Sequence, residues 1–312
     1  MRNQLVIGTR KSPLALWQSE FVKAQLQAAF PGLQVTLKHV ITAGDKSQDS
    51  KAAIPLIGGK GLFTAELEEC LVNREIDLAV HSLKDLPTTV DPRFCVGAIP
   101  ARSFVEDALI SRSGKGLLDL PKGGVVGTSS VRRSSQILRL RPDLTTTIIR
   151  GNVDTRLKKL RAEGGEYDAI VLARAGLSRL GLESEITQVL GDAEMLPAPG
   201  QGALGIECRA DDSELLEMLS KLHDPRTAAE VTAERMFLQC LGAGCNTPVA
   251  ARAIVTAKNG EERLSFVGRC LSPDGARQIQ VYGESSARDA AVLGEKMAKE
   301  AFQQGFKDLS VS

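Results

Sequence analysis

Short apolar runs alternate with stretches of helical spacing along most of this chain. Leu5 to Ile7 reads as a strand, Gly8 to Pro13 (GTRKSP) as a turn, and Leu14 to Phe30 as a helix stopped by Pro31-Gly32. Val35 to Ile41 alternates with period two, Phe63 to Asn73 is helical, and Ile76 to Ser82 is a buried strand running into HSLKDLP. Between them Ala43 to Lys60 is polar and glycine-containing, which predicts a loop. The same logic resumes near Ala101. Val125 to Thr128 is a strand, Val131 to Leu140 a helix closed by Arg141-Pro142, and Thr146 to Ile149 a strand. Val153 to Ala162 follows as a helix and Ala169 to Ala173 as a strand. Such alternation predicts an α/β protein with a mostly parallel sheet in each of two lobes.

Two echoes link the lobes. Gly8-Thr9 and Gly127-Thr128 each lead through a basic or serine-rich turn into a helix carrying Gln18 or Gln136, and EIDLAV (Glu75 to Val80) matches EYDAIV (Glu166 to Val171). Shared order predicts similar topology, and LPAPGQGALGIEC (Leu196 to Cys208) reads as a return into the first lobe's sheet. After Leu222 the pattern changes. A helix to Leu241 precedes three alternating strands, Val249 to Thr256, Leu264 to Leu271 and Gln278 to Tyr282, parted by NG and PDG turns, and a last helix from Ala287 to Gln303. The expected organisation is residues 1–100 plus 201–221 as first lobe, 101–200 as second, and 222–312 as a small α+β domain with a three-stranded antiparallel sheet.

Composition narrows the function classes. Apolar residues make up 43% and charged residues 25% of 312 residues, ordinary values for a globular protein. A net charge of +1 argues against general nucleic-acid binding, and 4% aromatics offer no stacking platform. No apolar run reaches the length of a membrane span. Six scattered cysteines without CxxC or disulfide-like spacing suit a reducing, cytoplasmic compartment.

Charge is nevertheless concentrated. Gly127 to Arg156 holds six arginines (Arg132, Arg133, Arg139, Arg141, Arg150, Arg156) against two acids. Several flank Gly, Ser or Asn turns whose amides also bind anions, and ligands on such sheets lie beyond the strands' carboxyl ends. A cleft between lobes that holds several carboxylates or phosphates is the expectation. Arg132 and Arg133, in a first helical turn, oppose the helix dipole unless an anion is near. That anion is either a ligand or an internal ion-pair partner. Cys245, in GAGCNTP at a helix exit, reads either as a reactive loop thiol or as a buried one. Asp85 reads either as a turn cap or as a carboxylate at the mouth of a basic site. His81 reads as a satisfied strand histidine. GGKGLF (Gly58 to Phe63) lacks the P-loop spacing, no GxGxxG opens a helix, and no metal or triad set is evident, so metal is not expected.

Taken in order, GTRKSPLALWQ, GGKGLF, HSLKDLP, VGTSSVRR, RGNVDTRL, AGLSRLG, GQGALGIE and GAGCNTPVAARA resemble the porphobilinogen deaminase (hydroxymethylbilane synthase) family over essentially the whole chain. The resemblance implies two periplasmic-binding-protein-like lobes and a third small domain. It implies a transferase of tetrapyrrole and heme biosynthesis that carries a dipyrromethane cofactor, linked to Cys245 by a thioether. Four porphobilinogen units are added with loss of ammonia, and hydrolysis frees linear hydroxymethylbilane. By the same resemblance Asp85 is catalytic, hydrogen-bonding pyrrole nitrogens and supporting the azafulvene cation. Lys84, Asp85, Ser130, Arg132, Arg133 and Arg156 bind cofactor, while Arg10, Ser12, Gln18, Arg150, Arg179 and Gln201 line substrate. Leu56 and Ala65 stand where many relatives have lysine. A cytoplasmic monomer without nucleic-acid or membrane partners is implied. The competing class is a noncatalytic anion-binding module, which would have no use for Cys245.

Overall fold

The computed structural model describes residues 2–42, 64–243, 247–258 and 261–310. The expected loop Ala43 to Lys60 with Leu56, the GGKGLF motif and Cys245 lie outside the described residues. The first stretch of chain carries β1 (Gln4–Thr9), α1 (Pro13–Ala29), β2 (Gln34–His39), α2 (Ala65–Val72), β3 (Leu78–Ser82) and β4 (Phe94–Ala98). Next come β5 (Asp107–Ser111), β6 (Val125–Gly127), α3 (Val131–Leu140), β7 (Thr145–Thr147) and α4 (Val153–Arg161), then β8 (Ala169–Ala173), α5 (Arg174–Arg179) and β9 (Gln188–Leu190). β10 (Leu204–Arg209), α6 (Ser213–Leu219) and α7 (Pro225–Cys240) follow, and the chain ends in β11 (Val249–Lys258), β12 (Glu261–Leu271), β13 (Gln278–Ser286) and α8 (Ala290–Gln303). These elements gather into two compact units, Met1–Arg102 with Ala203–Thr227, and Ser103–Gly202 with Ala228–Ser312.

The first unit holds a five-stranded sheet in the order β2-β1-β3-β10-β4, and the second holds one in the order β7-β6-β8-β5-β9. In each, the first three strands pair in parallel. The fourth, β10 or β5, runs against both its neighbours, so four of the five strands point one way. The two sheets therefore share one spatial plan and set of strand directions, as the echoes anticipated, although the antiparallel strand enters last in the first sheet and first in the second. The return of LPAPGQGALGIEC into the first sheet is also observed. All six residues of β10 are buried, as suits a strand covered on both faces.

The repeated sequence positions perform repeated jobs. Asp77 of EIDLAV accepts the Val6 amide at 2.8 Å through its carboxylate, and Asp168 of EYDAIV accepts the Val125 amide at 2.7 Å. Each carboxylate thus fixes the entry of the strand that leads to the basic turn. The glycines at the carboxyl ends of those strands are also forced. A Cβ on Gly8 would stand 2.4 Å from the Ile76 side chain, and one on Gly127 would stand 2.9 Å from the Tyr167 ring. Ile76 and Tyr167 are themselves the residues just before the two aspartates.

The second unit also contains the antiparallel sheet β11-β12-β13. α7 and α8 pack on it through Phe237, Leu293 and Met297, and the Phe237 and Phe266 rings meet edge-on at 5.2 Å. Several elements go beyond the sequence reading: β4, β5, β9, α5 and α6. All are short, with too few residues for a period to declare itself. One strand shifts: Thr146 to Ile149 was expected, but pairing ends at Thr147. Ile148 turns outward at 63% exposed, and the Ile149 carbonyl is taken by the Ser129 hydroxyl at 2.6 Å. Ser129 consequently does not share the helix-capping role, which falls to Ser130.

Candidate functional site

In the first unit the site residues are carried by the carboxyl ends of β1 and β3, which are parallel neighbours. Arg10 follows β1 directly and is half-buried. Ser12 caps α1, accepting the Ala15 amide at 3.3 Å, with Pro13 in the first helical position where no amide is missed. Lys84 and Asp85 occupy the short 3₁₀ turn Leu83–Asp85 immediately after β3; Lys84 is half-buried and Asp85 exposed. Gln18 ties the two segments together. It is buried in α1, and its amide donates to the Ser82 hydroxyl at 2.7 Å. Beneath the turn, His81 is buried and its Nε2 lies 2.9 Å from Glu207 Oε2 on β10, so it is a paired strand histidine as expected.

In the second unit the equivalent turn follows β6. Ser130 caps α3 by accepting the Arg133 amide at 3.4 Å, which places Arg132 and Arg133 in the first turn. Both are buried, at 5% and 7% exposed, and the anion their position calls for is present within the chain. Asp107, wholly buried at the start of β5, lies 2.8 Å from Arg132 Nη1 and 2.7 Å from Arg133 Nη2. Burial alone would push its carboxyl upward, but the two guanidinium charges outweigh this and hold it far below the ordinary range. Gln201, also fully buried, donates to the same carboxylate at 3.0 Å and to the Val105 carbonyl at 2.7 Å.

The two arginines differ in what remains. Arg133 spends all three nitrogens inside the protein: Nε and Nη2 on Asp107, Nη1 on the Val171 carbonyl at 3.0 Å. Arg132 spends only Nη1, on Asp107 and on the Leu196 carbonyl at 2.7 Å; its Nε and Nη2 have no partner among the described residues. Nor are those two atoms among the fully buried orphaned ones. A half-committed, fixed guanidinium is the donor set that a carboxylate-bearing group requires, so the residues present fit dipyrromethane.

The remaining cations sit at the same end of the second unit's sheet. Arg150 and Arg156 follow β7 and are half-buried, with Arg156 Nε donating to the Gly151 carbonyl at 2.8 Å. Asn152 caps α4 between them. Arg179 ends α5, after β8, and donates to the Gly202 carbonyl at 2.7 Å; burial lowers its pKa to about 10, leaving it cationic at neutral pH. Arg141 serves the fold instead, pairing with Asp143 and donating to the carbonyls of Leu117, Leu118 and Leu120. Ala65 opens α2 after Thr64.

The five described cysteines (Cys70, Cys95, Cys208, Cys240, Cys270) are free, and burial raises every one of their thiols, Cys270 to about 12. They are poor nucleophiles. Residue 245 itself lies beyond the described end of α7, whose last turn closes at Gly242 with φ +62°. Among the described residues no cluster of three or more His, Cys, Asp or Glu is placed to hold a metal, and no helix is long and apolar enough to cross a membrane.

Sequence reasoning missed Asp107. The only signal was an acid leading an apolar run, EDALI, in a strand too short to recognise. It missed Glu207 likewise, an acid inside the apolar stretch LGIEC.

The family model described as "Porphobilinogen deaminase, dipyromethane cofactor binding domain" matches residues 5–217, and that described as "Porphobilinogen deaminase, C-terminal domain" matches residues 228–303. A porphobilinogen deaminase of Roseiflexus castenholzii is 48% identical over 305 residues, covering 98% of each chain. One of Halalkalibacterium halodurans is 46% identical over 308 residues, covering 98% of this chain and 96% of its own. Among solved structures, the methionine-binding protein MetQ covers 70% of this chain and 88% of its own, with 14% identity and a TM-score of 0.42, too distant to support an argument.

Proposed function

Since this chain belongs to the porphobilinogen deaminase family, transferases of tetrapyrrole synthesis with a dipyrromethane cofactor, we propose that it joins four porphobilinogen molecules into linear hydroxymethylbilane. Each addition releases ammonia, and hydrolysis releases the product. When bound, dipyrromethane supplies the primer on which the pyrrole chain is built; we assign its attachment to Cys245 through a thioether. The observation that supports the reading best is Arg132, buried beside Asp107 yet with Nε and Nη2 uncommitted. Such a group binds a carboxylate without reorganising, because Asp107 and the Leu196 carbonyl already hold it in place.

The other roles follow from side-chain chemistry. Every pyrrole brings an acetate and a propionate, so a growing chain needs many fixed cations. Arg10, Arg150, Arg156 and Arg179 serve the carboxylates together with Arg132, while Ser12, Ser130 and Lys84 add hydrogen bonds. Arg133 and Gln201 act chiefly by holding Asp107, and Gln18 by holding Ser82 beside the Lys84-Asp85 turn. Asp85, exposed at the end of β3, accepts hydrogen bonds from pyrrole N–H groups. It stabilises positive charge as ammonia departs and takes up the ring proton after the carbon–carbon bond forms. The three-domain division at residues 1–100 plus 201–221, 101–200 and 222–312 belongs to this reading, as do a cytoplasmic location and a monomeric state.

Intact-mass measurement with peptide mapping tests the proposal directly. An excess of two linked pyrrole units on the peptide containing Cys245 is expected, and it should vanish in Cys245→Ser. An unmodified chain that stays unmodified after incubation with porphobilinogen would sink the assignment. Asp85→Ala should keep the added mass and lose roughly 10²- to 10⁴-fold in turnover; turnover at the wild-type rate would remove Asp85 from the chemistry.

A further inference from the structure

The second unit contains a pocket of about 250 Å³ that takes no part in the function proposed above. Its walls include Gln136 and Arg139 of α3, Glu194 from the segment after β9, Arg269 of β12, and Gln278 and Gln280 of β13. Arg269 is only 7% exposed, yet its guanidinium meets neutral acceptors alone. Nη1 donates to Gln136 Oε1 at 2.8 Å, Nη2 to the Asp192 carbonyl at 3.0 Å, and Nε to Gln280 Oε1 at 3.3 Å. No carboxylate ion-pairs with it among the described residues. The Asp192 carboxylate is engaged elsewhere, with Arg252 at 2.7 Å.

Arg139 brings a second guanidinium to the same pocket. It is exposed, and its one contact among the described residues is a long 3.5 Å approach to the Ala276 carbonyl. Burial lowers the Arg269 pKa; Tyr282 and Asp192 oppose that, and Arg139 adds to it by repulsion. The Glu194 carboxylate also lines the pocket, but among the described residues it makes no ion pair with either arginine. Its two oxygens accept the Gln188 amide at 2.7 Å and the Gly191 amide at 3.1 Å.

A buried cation with only neutral partners is costly, and a like charge beside it adds to the cost. An oxyanion in the pocket reverses both effects, since a guanidinium fork matches carboxylate and phosphate oxygens and Gln278 and Gln280 each keep one amide N–H beyond those they spend on Gln280 and Tyr282. We propose that this pocket binds a small organic anion whose charge sits on carboxylate or phosphate oxygens, held by Arg139 over the rigid floor of Arg269. Its walls include none of the residues assigned to cofactor and substrate.

Isothermal titration calorimetry on the cofactor-bearing enzyme tests it, with succinate and inorganic phosphate as separate probes and Arg139→Glu as the variant. Arg139 is exposed and makes no structural ion pair, so the variant should fold. Saturable binding of at least one probe is expected, weakened about tenfold or more in Arg139→Glu, with the KM for porphobilinogen unchanged. Binding of succinate alone assigns the site to carboxylates, and of phosphate alone to phosphates. Failure of both probes to bind, or binding that survives Arg139→Glu undiminished, overturns the proposal. So does binding that porphobilinogen displaces competitively, because the anion then sits among the substrate residues.

Discussion

At the scale of single residues, Asp107 explains how two arginines can sit at the start of a helix. Helix N-termini favour anions, and two buried guanidiniums there would be unfavourable without a compensating charge. Asp107 provides it, and Gln201 adds a hydrogen bond to the same carboxylate oxygen that Arg133 engages. Removing the carboxylate leaves both cations uncompensated. Asp107→Ala should therefore cost about 3–5 kcal/mol in urea unfolding at neutral pH and should reduce cofactor retention by intact mass. The pH dependence follows from the sign of the shift. The folded carboxyl titrates below its ordinary value of 3.8, so the unfolded chain takes up a proton first as pH falls. The stabilisation is complete above the ordinary aspartate range and is lost as pH drops through it towards the lower folded value. Asp107→Asn should flatten that acid limb; an unchanged acid slope would show that other carboxylates set it. None of this was visible in the sequence, where VRR announced an anion without saying whether the chain itself supplied it.

At the scale of elements, the two sheets were legible because their parallel strands are apolar runs joined by helices with clear caps. Ser12-Pro13 and Ser130 mark helix starts in sequence and in space. The matched aspartates could be read as an echo, but their task required the register: each holds the amide near the entry of a neighbouring strand. An amide bonded to a charged acceptor is worth about 1.5–3 kcal/mol. Asp168→Ala should lose about that much, measured by chemical unfolding. Asp77→Ala should lose at least as much, because Asp77 also pairs with Arg2 at 3.3 Å. A loss below half a kcal/mol in both, roughly the effect of an ordinary surface substitution, would show that strand entry does not depend on them. The conformation of Gly202 is another element-level constraint. Its φ is +85°, and a Cβ would lie 2.4 Å from the Phe104 carbonyl oxygen, so Gly202→Ala meets backbone rather than a yielding side chain. It should destabilise by more than about 1 kcal/mol and disturb Arg179, which donates to the Gly202 carbonyl.

At the scale of the whole molecule, chain order and spatial order part company. The first sheet is incomplete until β10 arrives from beyond residue 202, and β10 lies inside that sheet, between β3 and β4. A chain ending at residue 202 lacks Glu207 beneath His81 and leaves the apolar faces of β3 and β4 uncovered. Such a fragment should fail to protect the amides of β1 and β3 in hydrogen exchange, whereas the full chain protects them. Native-like protection in the fragment would mean that the remaining strands suffice. Net charge is likewise a property that means little until it is distributed. The total is +1, but Arg10, Lys84, Arg132 and Arg150 gather just beyond the carboxyl ends of parallel strands, and Arg132 keeps two nitrogens without a partner among the described residues.

The sequence by itself determined which segments alternate as strand and helix, that two lobes repeat one plan, and that basic turns follow the parallel strands. These are local properties, set by periodicity, capping and turn chemistry within a few residues. Only the tertiary structure decided which charges are spent and which remain. Arg133 and Arg132 are adjacent and chemically identical, yet one is consumed by Asp107 and Val171 while the other keeps two nitrogens without a partner among the described residues. Arg139 and Arg141 are similarly alike in sequence, yet one opens on a pocket and the other donates to the carbonyls of Leu117, Leu118 and Leu120. Partners 20 or more residues away are chosen by sheet order and register, and no local pattern encodes them; the physical reason is that an ion pair depends on distance in space.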